Sequence, residues 1–342
     1  MFPNGSTNLN NQQISQNWQN NNNIIQNEQS NNNIIPNGQS TFNNELNKSN
    51  SKNEINNKSI KKIDNNNQMP TDNINQELAK ENSQELNKNI YGNVMSIEYE
   101  NALREEIELS TPLISEQLSI NILLDDYKNN IGYSNSIKEI TNKYKYIRKV
   151  RRDGNCFYRS FIYRLFEYIC MKNNKELYEK TKNKIQEAKE LIKNNGYDWS
   201  FIEDFYNIFY TQFYYSFNSL QTKGVTVRDY IDALFKDKEA GNYLIYFIRF
   251  CIAAYLKENS FLYEVYVDMP FQNWITNEVE AIDHEADQIQ IMACVNYFDI
   301  GVKIEYLNPD KNEVMKFPED RPDKDIFITV LFTPGHYDIL YN

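Results

Sequence analysis

Histidine is nearly absent from this sequence: its 342 residues include only two, His284 and His336. Cysteine is scarce as well, and the four cysteines lie far apart, with no Cys-x-x-Cys pair among them. Structural zinc sites need closely spaced Cys and His ligands, and small secreted domains need a dense disulfide framework. The sequence therefore predicts neither a metal site nor disulfide bonds, and a reaction that uses an imidazole has only two candidates for it.

Long apolar runs are also missing. The most apolar stretch, NYLIYFIRFCIAAYL at residues 242–256, contains Arg249 and is too short to span a bilayer. The N-terminus, MFPNGSTNLN, has no basic region followed by an apolar run, so we predict no secretory signal and no membrane partner. Together with unpaired cysteines, these features predict a cytosolic protein, with the nucleus as a further location left open.

Apolar residues are sparse in the first 90 residues, which contain 29 asparagines. A ten-residue unit repeats there, as NNNIIQNEQS from Asn21 and NNNIIPNGQS from Asn31. So polar a segment buries too little surface to offset the entropy of ordering. We therefore predict a disordered Asn-rich tail over residues 1–90, either inert or self-associating, and one folded domain over residues 91–342.

The folded region carries nearly all of the net charge of −11. Residues 1–90 contain 7 Lys and Arg against 8 Asp and Glu, and the rest of the chain contains 29 against 39. Because nucleic-acid binding depends on Lys and Arg contacts to phosphates, we expect no nucleic-acid partner. An acidic domain suits a partner with a basic face.

The apolar periodicity changes from helical to strand-like near residue 300. We predict helices over residues 96–109, 112–127, 136–144, 157–169, 177–194, 200–218, 226–234, 242–257, 271–281 and 288–298. Residues 146–150 read as a brief extended segment. Strands are predicted over residues 302–306, 326–332 and 336–341. Helices first and a small antiparallel sheet last indicate an α+β domain.

The stretch VRRDGNCFYRSF places Cys156 directly after a turn and at the start of a helical pattern. A helix N-terminus carries partial positive charge, which stabilises a thiolate. Asp153 or Asn155 is available to cap this helix. With Gly154 in the turn, backbone N–H groups near Asp153 and at Cys156 could converge on an oxyanion.

A nucleophilic cysteine needs a base, and His336 is the better placed of the two histidines. Side chains alternate across a strand, so His336 and Asp338 share one face of the last strand. Asp338 can then accept a hydrogen bond from one ring nitrogen and leave the other for the thiol. His284, in the acidic segment AIDHEADQ, reads as a surface residue.

Each of these residues has a plainer interpretation when it is taken alone. A single cysteine at a helix start more often packs in a core than reacts, and a histidine that opens a strand is more often a surface residue. A His-x-Asp pair is a weak signal by itself. Together the three residue types form one consistent Cys-His-Asp site, which favours the catalytic interpretation.

Five sequence blocks resemble the otubains, which are deubiquitinating cysteine peptidases of the ovarian-tumour (OTU) superfamily. The blocks are YKYIRKVRRDGNCFYRSF, IEDF, DQIQIMA, VKIEYL and TPGHYDILY, in the family's order and near its spacing. The resemblance covers the chain from about Ser96 to the C-terminus. It implies a papain-like OTU fold with a helical part and a small, mainly antiparallel sheet, and no metal or cofactor.

The resemblance also implies roles for individual residues. Cys156 takes the place of the family's nucleophile, His336 that of its general base, and Asp338 that of the third member of the triad. Asp153 matches the Asp of the family's DGNC loop, which helps to shape the oxyanion pocket. The implied reaction is hydrolysis of isopeptide bonds after the C-terminal glycine of ubiquitin, and some members prefer Lys48-linked chains.

The implied partners are ubiquitin and ubiquitin chains, and we expect a monomer. Leu262, Tyr263 and Tyr266 are candidates for ubiquitin contacts, although buried helix aromatics are an equally good interpretation. Two alternatives remain open: a non-catalytic regulator that binds ubiquitin-conjugating enzymes, or a peptidase for a ubiquitin-like modifier. The chain departs from the family pattern at Arg152 and at Gln288 and Gln290, which stand where the family has histidine. A third departure, at Met269-Pro270, bears on linkage preference.

Overall fold

Four of the described helices contact one central helix that begins at Cys156. The computed structural model describes residues 111–218, 226–309 and 311–342, all within a compact unit that spans Asn101–Asn342. The predicted tail and the helix predicted over residues 96–109 lie outside the described residues. The helices are α1 Ile122–Asp126, α2 Ser134–Lys143, α3 Cys156–Met171, α4 Lys175–Asn194, α5 Trp199–Asn218, α6 Val227–Lys236, α7 Lys238–Glu258, α8 Ser260–Tyr263, α9 Phe271–Trp274 and α10 Gln288–Phe298.

The central helix, α3, is buried on nearly every side, with 13 of its 16 residues in the interior. It contacts α5, α6 and α7 on one side and the sheet on the other. Aromatic rings fill these contacts: Phe166 lies 5.6 Å from Phe209 and 5.7 Å from Phe235, and Phe157 lies 5.5 Å from Tyr337, between ring centroids. A helix whose apolar residues extend round most of its surface is typical of such a central position.

The sheet has six strands: β1 Leu118–Ser119, β2 Tyr146–Arg148, β3 Val302–Tyr306, β4 Glu313–Phe317, β5 Ile328–Thr333 and β6 His336–Tyr341. Their order across the sheet is β1-β2-β6-β5-β3-β4. Among these strands the β3–β5 pair is parallel and the other neighbours are antiparallel. The α+β architecture with a mainly antiparallel sheet is therefore confirmed.

The pairing of β2 with β6 positions the two halves of the predicted site. Ile147 lies opposite Leu340 and Arg148 lies opposite Ile339. From β2 the chain runs directly through the DGN turn into α3, so the start of α3 lies beside β6. The sheet thus joins sequence segments that are nearly 200 residues apart.

The helix predicted over residues 112–127 is wrong. The chain instead runs extended at first, where Ile114 pairs with Val150 in an isolated bridge, and forms β1 and the five-residue α1 afterwards. The Ser115 amide donates to the Lys149 carbonyl at 2.8 Å, and the Arg151 amide donates to the Leu113 carbonyl at 3.0 Å. These tertiary backbone bonds override a local pattern whose helical preference was weak.

Two further differences concern the later elements. The helix predicted over residues 271–281 divides into the four-residue α9 and a π-helical segment, Ile275–Glu280. Strand β4 was not predicted, because its residues are largely exposed and show no apolar alternation. Within the described ranges, no helix combines the length and the apolarity that crossing a membrane would require.

Candidate active site

Cys156 is the first residue of α3, and its side chain lies against β6. It is only 1% exposed. The backbone N–H of Tyr337 acts on its sulfur and lowers the pKa of the thiol. Tyr337 follows His336 directly, so the thiol contacts the strand that carries the predicted base. The structure therefore places Cys156 beside the strand that carries His336, and the catalytic roles of the two residues remain a prediction.

His336 and Asp338 form a buried pair on one face of β6, as strand alternation predicts. His336 Nε2 lies 2.9 Å from Asp338 Oδ1, and both residues are 3% exposed. Within the described part of the chain, His336 Nδ1 is buried and has no hydrogen-bond partner. A carboxylate at Nε2 favours the tautomer with the proton on that nitrogen, which leaves Nδ1 as an acceptor for a thiol proton.

Both oxygens of the Asp338 carboxylate have further partners. Oδ1 accepts a hydrogen bond from the Val150 amide at 2.8 Å, and Oδ2 lies 3.3 Å from Lys149 Nζ. Burial opposes the charge on Asp338, yet its pKa lies below the ordinary value because His336, Lys149 and the Val150 amide stabilise the anion. Asp338 is therefore a carboxylate at neutral pH.

The Cys156 thiol does not behave as its place at a helix start predicts. Burial raises its pKa to about 12, and nearby Asp153 and Glu285 add to this effect. The Tyr337 amide and Arg159 act in the opposite direction but are outweighed. The expected stabilisation of a thiolate by the helix N-terminus is thus overcome by desolvation, and the enclosed sulfur is a neutral thiol.

Asp153 shapes the turn before the nucleophile. Its carboxylate accepts a hydrogen bond from the Asn155 backbone amide at 3.1 Å and pairs with Arg159 Nη1 and Nη2, each at 2.8 Å. Neither Asp153 nor Asn155 caps α3 through its side chain, contrary to the sequence-based expectation. Gly154 has φ +71°, and a Cβ there would lie 2.0 Å from the Asp283 carbonyl oxygen, so only glycine fits.

Arg249 of α7 connects this turn to residues 279–284 through hydrogen bonds. The sequence did not identify it as a functional residue. It is 1% exposed and donates to Asn155 Oδ1 at 2.9 and 2.7 Å and to the Gly154 carbonyl at 3.1 Å. Further bonds reach the carbonyls of Val279, at 3.0 Å, and His284, at 2.5 Å. The only signal in the sequence was a single charge inside an apolar helical run.

Residues 281–287 connect the nucleophile turn with the base. The Asp283 carbonyl packs on Gly154, and the Glu285 carboxylate lies 2.9 Å from the position of a Cβ on Gly335, just before His336. The His284 side chain itself is about half exposed, as a surface residue is. Asp287 forms a capping box with Gln290 at the start of α10. Gln290, which departs from the histidine of the family pattern, therefore has a structural role.

Comparison with known proteins decides the family. The family described as Peptidase C65 Otubain matches residues 106–342. The chain belongs to the otubain family. Ubiquitin thioesterase OTUB1 of Homo sapiens is 31% identical over 245 residues, which cover 70% of this chain and 86% of that protein. Ubiquitin thioesterase OTUB2 of Homo sapiens is 29% identical and is covered to 97%.

Solved structures of otubains share the fold. A complex of h/ceOTUB1 with ubiquitin aldehyde and UBC13~Ub superimposes with a TM-score of 0.67 at 24% identity, over 73% of this chain and 98% of that chain. A complex of ceOTUB1 with ubiquitin aldehyde and UBC13~Ub gives a TM-score of 0.63 at 25% identity, over 70% and 97%. The resemblance of the chain to the otubain family is confirmed by the match over residues 106–342, and these structures show that the fold is shared.

The three residues proposed from this resemblance as ubiquitin contacts differ in exposure. Leu262 is 48% exposed and Tyr266 is 68% exposed, and both lie beside the exposed Phe261 and Val265. Tyr263 is 3% exposed, and its hydroxyl accepts a hydrogen bond from Asn296 at 3.0 Å. Leu262 and Tyr266 are therefore accessible to a partner, whereas Tyr263 is buried and connects their segment to Asn296 of α10.

The raised pKa of Cys156 predicts slow alkylation of the free otubain. Because the enclosed thiol stays protonated, we expect iodoacetamide to label Cys156 at least about tenfold more slowly than a free cysteine at pH 8. The rate should still rise with pH beyond 9, where an ordinary thiol levels off. Peptide mass spectrometry measures the rate, with urea-unfolded protein as the control. A plateau near neutral pH would contradict the enclosed, neutral thiol.

Proposed function

We propose that this chain is a cysteine-type deubiquitinase that hydrolyses the isopeptide bond after the C-terminal glycine of ubiquitin. The observation that carries the proposal is that Cys156 lies against β6, the strand that holds the buried His336–Asp338 pair. In the described part of the chain, His336 Nδ1 has no hydrogen-bond partner. Membership of the otubain family and the names of the relatives, ubiquitin thioesterases, support the substrate class.

In the proposed reaction His336 Nδ1 takes the proton of the Cys156 thiol, and the sulfur attacks the carbonyl carbon of the terminal glycine. The backbone around Gly154, held by Asp153 and Arg249, offers N–H groups to the oxyanion. Collapse breaks the C–N bond, and His336 returns the proton to the leaving lysine amine. Water then attacks the thioester with His336 as base, which releases a carboxylate and the thiol.

Access to the thiol requires a movement, since Cys156 is enclosed in the structure described here. Residues 281–287 bridge Gly154 and Gly335 on the two sides of the site, so their displacement would open it. A bound substrate could supply the free energy for this displacement through contacts elsewhere on ubiquitin. We propose that the exposed side chains of Leu262 and Tyr266 supply part of these contacts.

We further propose polyubiquitin, including Lys48-linked chains, as the substrate, and a cytosolic location, which the unpaired cysteines support. A second candidate function is restraint of ubiquitin-conjugating enzymes by binding. Solved complexes of related chains that contain UBC13~Ub and UBCH5B~Ub favour it. A Cys156→Ala protein that still slows chain synthesis by a purified conjugating enzyme would support this function, and loss of the effect would remove it.

Competition between modifiers tests the proposed substrate. Propargyl probes built on ubiquitin and on ubiquitin-like modifiers, each with its own fluorophore, are mixed in equal amounts with the protein. We expect Cys156 to be labelled by the ubiquitin probe at least about tenfold faster than by any other, because the exposed contacts outside the triad determine which modifier is bound. Faster labelling by a ubiquitin-like probe would assign the protein to that modifier instead.

A further inference from the structure

Lys149 lies between two carboxylates beside the catalytic pair. Its Nζ is 3.3 Å from Asp338 Oδ2 and 3.0 Å from Asp126 Oδ2 at the end of α1. The Asp338 side chain is 5% exposed, whereas the Lys149 and Asp126 side chains are 33% and 41% exposed. The ammonium thus links the buried carboxylate of the site to a second carboxylate at the surface.

The backbone of Lys149 is fixed on both sides. Its amide donates to Ser115 Oγ at 2.8 Å, and its carbonyl accepts from the Ser115 amide at 2.8 Å. The next residue, Val150, donates its amide to Asp338 Oδ1. Two consecutive residues therefore hold one oxygen each of the Asp338 carboxylate, while Oδ1 also contacts His336. This arrangement fixes the rotation of the carboxylate.

Charge as well as geometry connects these residues. Burial disfavours the charged form of Lys149, yet its pKa is raised because Asp338 and Asp126 stabilise the ammonium. The groups that titrate or carry charge around Asp338 are His336 on its own strand, Lys149 after β2, and Asp126 and Tyr127 at the end of α1; Arg152 also acts on Tyr127. Arg152 donates to Thr333 Oγ1 at 3.1 Å.

We propose that Lys149 is a positioning residue, which acts through Asp338 to keep His336 oriented and in the tautomer that accepts the thiol proton. The inference rests on the proposed function, because it assigns Lys149 a part in that reaction. Asp126 holds the ammonium from the opposite side and prevents it from turning into solvent. Lys149 does not touch the reacting atoms, so its removal weakens catalysis without abolishing it.

The pH dependence of hydrolysis distinguishes this role from a structural one. In Lys149→Met the Asp338 carboxylate loses a counter-charge, so the acid limb of kcat/KM for a ubiquitin C-terminal fluorogenic substrate should move up by about 0.5 to 1 pH unit. At pH values on this acid limb, kcat/KM of Lys149→Met should be about threefold to tenfold lower than that of the unaltered protein. Lys149→Arg should restore the limb, and Lys145→Met, an exposed lysine four residues earlier, serves as the matched control.

A second background tests whether Lys149 acts through Asp338. In Asp338→Asn the carboxylate charge is gone, so adding Lys149→Met should cause little further loss, whereas a purely structural role would give the same fold-change in both backgrounds. An equal loss in the two backgrounds, or an unmoved acid limb in Lys149→Met, would overturn the inference.

A measurement without substrate separates this inference from the proposed function. Carbon-13 NMR of aspartate carboxyl groups, with the Asp338 signal assigned by its absence in Asp338→Asn, follows the ionisation of Asp338 directly. We expect its pKa to be higher in Lys149→Met than in the unaltered protein. If the unaltered protein cleaves no ubiquitin substrate, the proposed function fails, and this titration still decides whether Lys149 stabilises the Asp338 carboxylate. An unchanged titration would overturn the inference while an active enzyme leaves the function standing.

Discussion

Replacing Cys156 by serine should lower hydrolysis of ubiquitin chains by about three orders of magnitude or more, because a hydroxyl is a far weaker nucleophile than a thiol in a site built for sulfur. The substitution changes one buried atom and leaves the surface that would contact ubiquitin unaltered. Affinity for ubiquitin should therefore be retained. Gel assays of chain cleavage and calorimetric titration with ubiquitin measure the two quantities.

The matched control for this substitution is Cys170→Ser, at the opposite end of the same helix. Cys170 is also buried, and burial raises its pKa to about 12 as well, so the two thiols have similar environments. A general effect of placing a hydroxyl in the core would appear in both variants. Cleavage at a normal rate by Cys156→Ser, with equal or greater loss in Cys170→Ser, would contradict the assignment of the nucleophile.

Replacing Arg249 by methionine should damage both stability and turnover. The five hydrogen bonds of its guanidinium reach Asn155 twice and the carbonyls of Gly154, Val279 and His284 once each. Methionine fills a similar volume but leaves these acceptors buried without a donor, which should cost about 3 kcal/mol of unfolding free energy. Denaturant unfolding measures this loss.

The loss of turnover should fall on kcat more than on KM. Arg249 fixes the turn that would hold the oxyanion, and removal of one oxyanion donor in other enzymes costs about a hundredfold or more in kcat. Arg249→Lys keeps the positive charge but loses the planar guanidinium with its several donors, so its kcat should lie between those of the unaltered protein and Arg249→Met. This variant remains informative if the methionine variant fails to fold. Arg228→Met, which removes a hydrogen bond to Glu167, is the control. An unchanged kcat in a folded Arg249→Met protein would exclude the role.

Local sequence predicted the parts of this site well. The alternation of HYDILY placed His336 and Asp338 on one face, and the structure has them 2.9 Å apart. The turn chemistry of DGN located the start of α3, which begins at Cys156 as expected. Such features depend on periodicity and backbone preference over a few residues, and these are encoded locally.

Features that depend on tertiary environment could not be predicted in this way. The proximity of α3 to β6 follows from the pairing of β2 with β6, and no local pattern in the sequence contains that pairing. The neutral state of the Cys156 thiol depends on how completely the fold encloses it, so the helix N-terminus alone could not predict the direction of the pKa shift. Arg249 acquires its role only because α7 packs against the DGN turn.

Geometry in a covalent complex tests the central claim most directly. The account predicts that a crystal structure of the protein reacted with ubiquitin propargylamide shows the new bond at Cys156. It also predicts His336 Nδ1 within hydrogen-bonding distance of the sulfur and residues 281–287 displaced from Gly154. A bond at another residue, or an imidazole that points away from the sulfur, would contradict it.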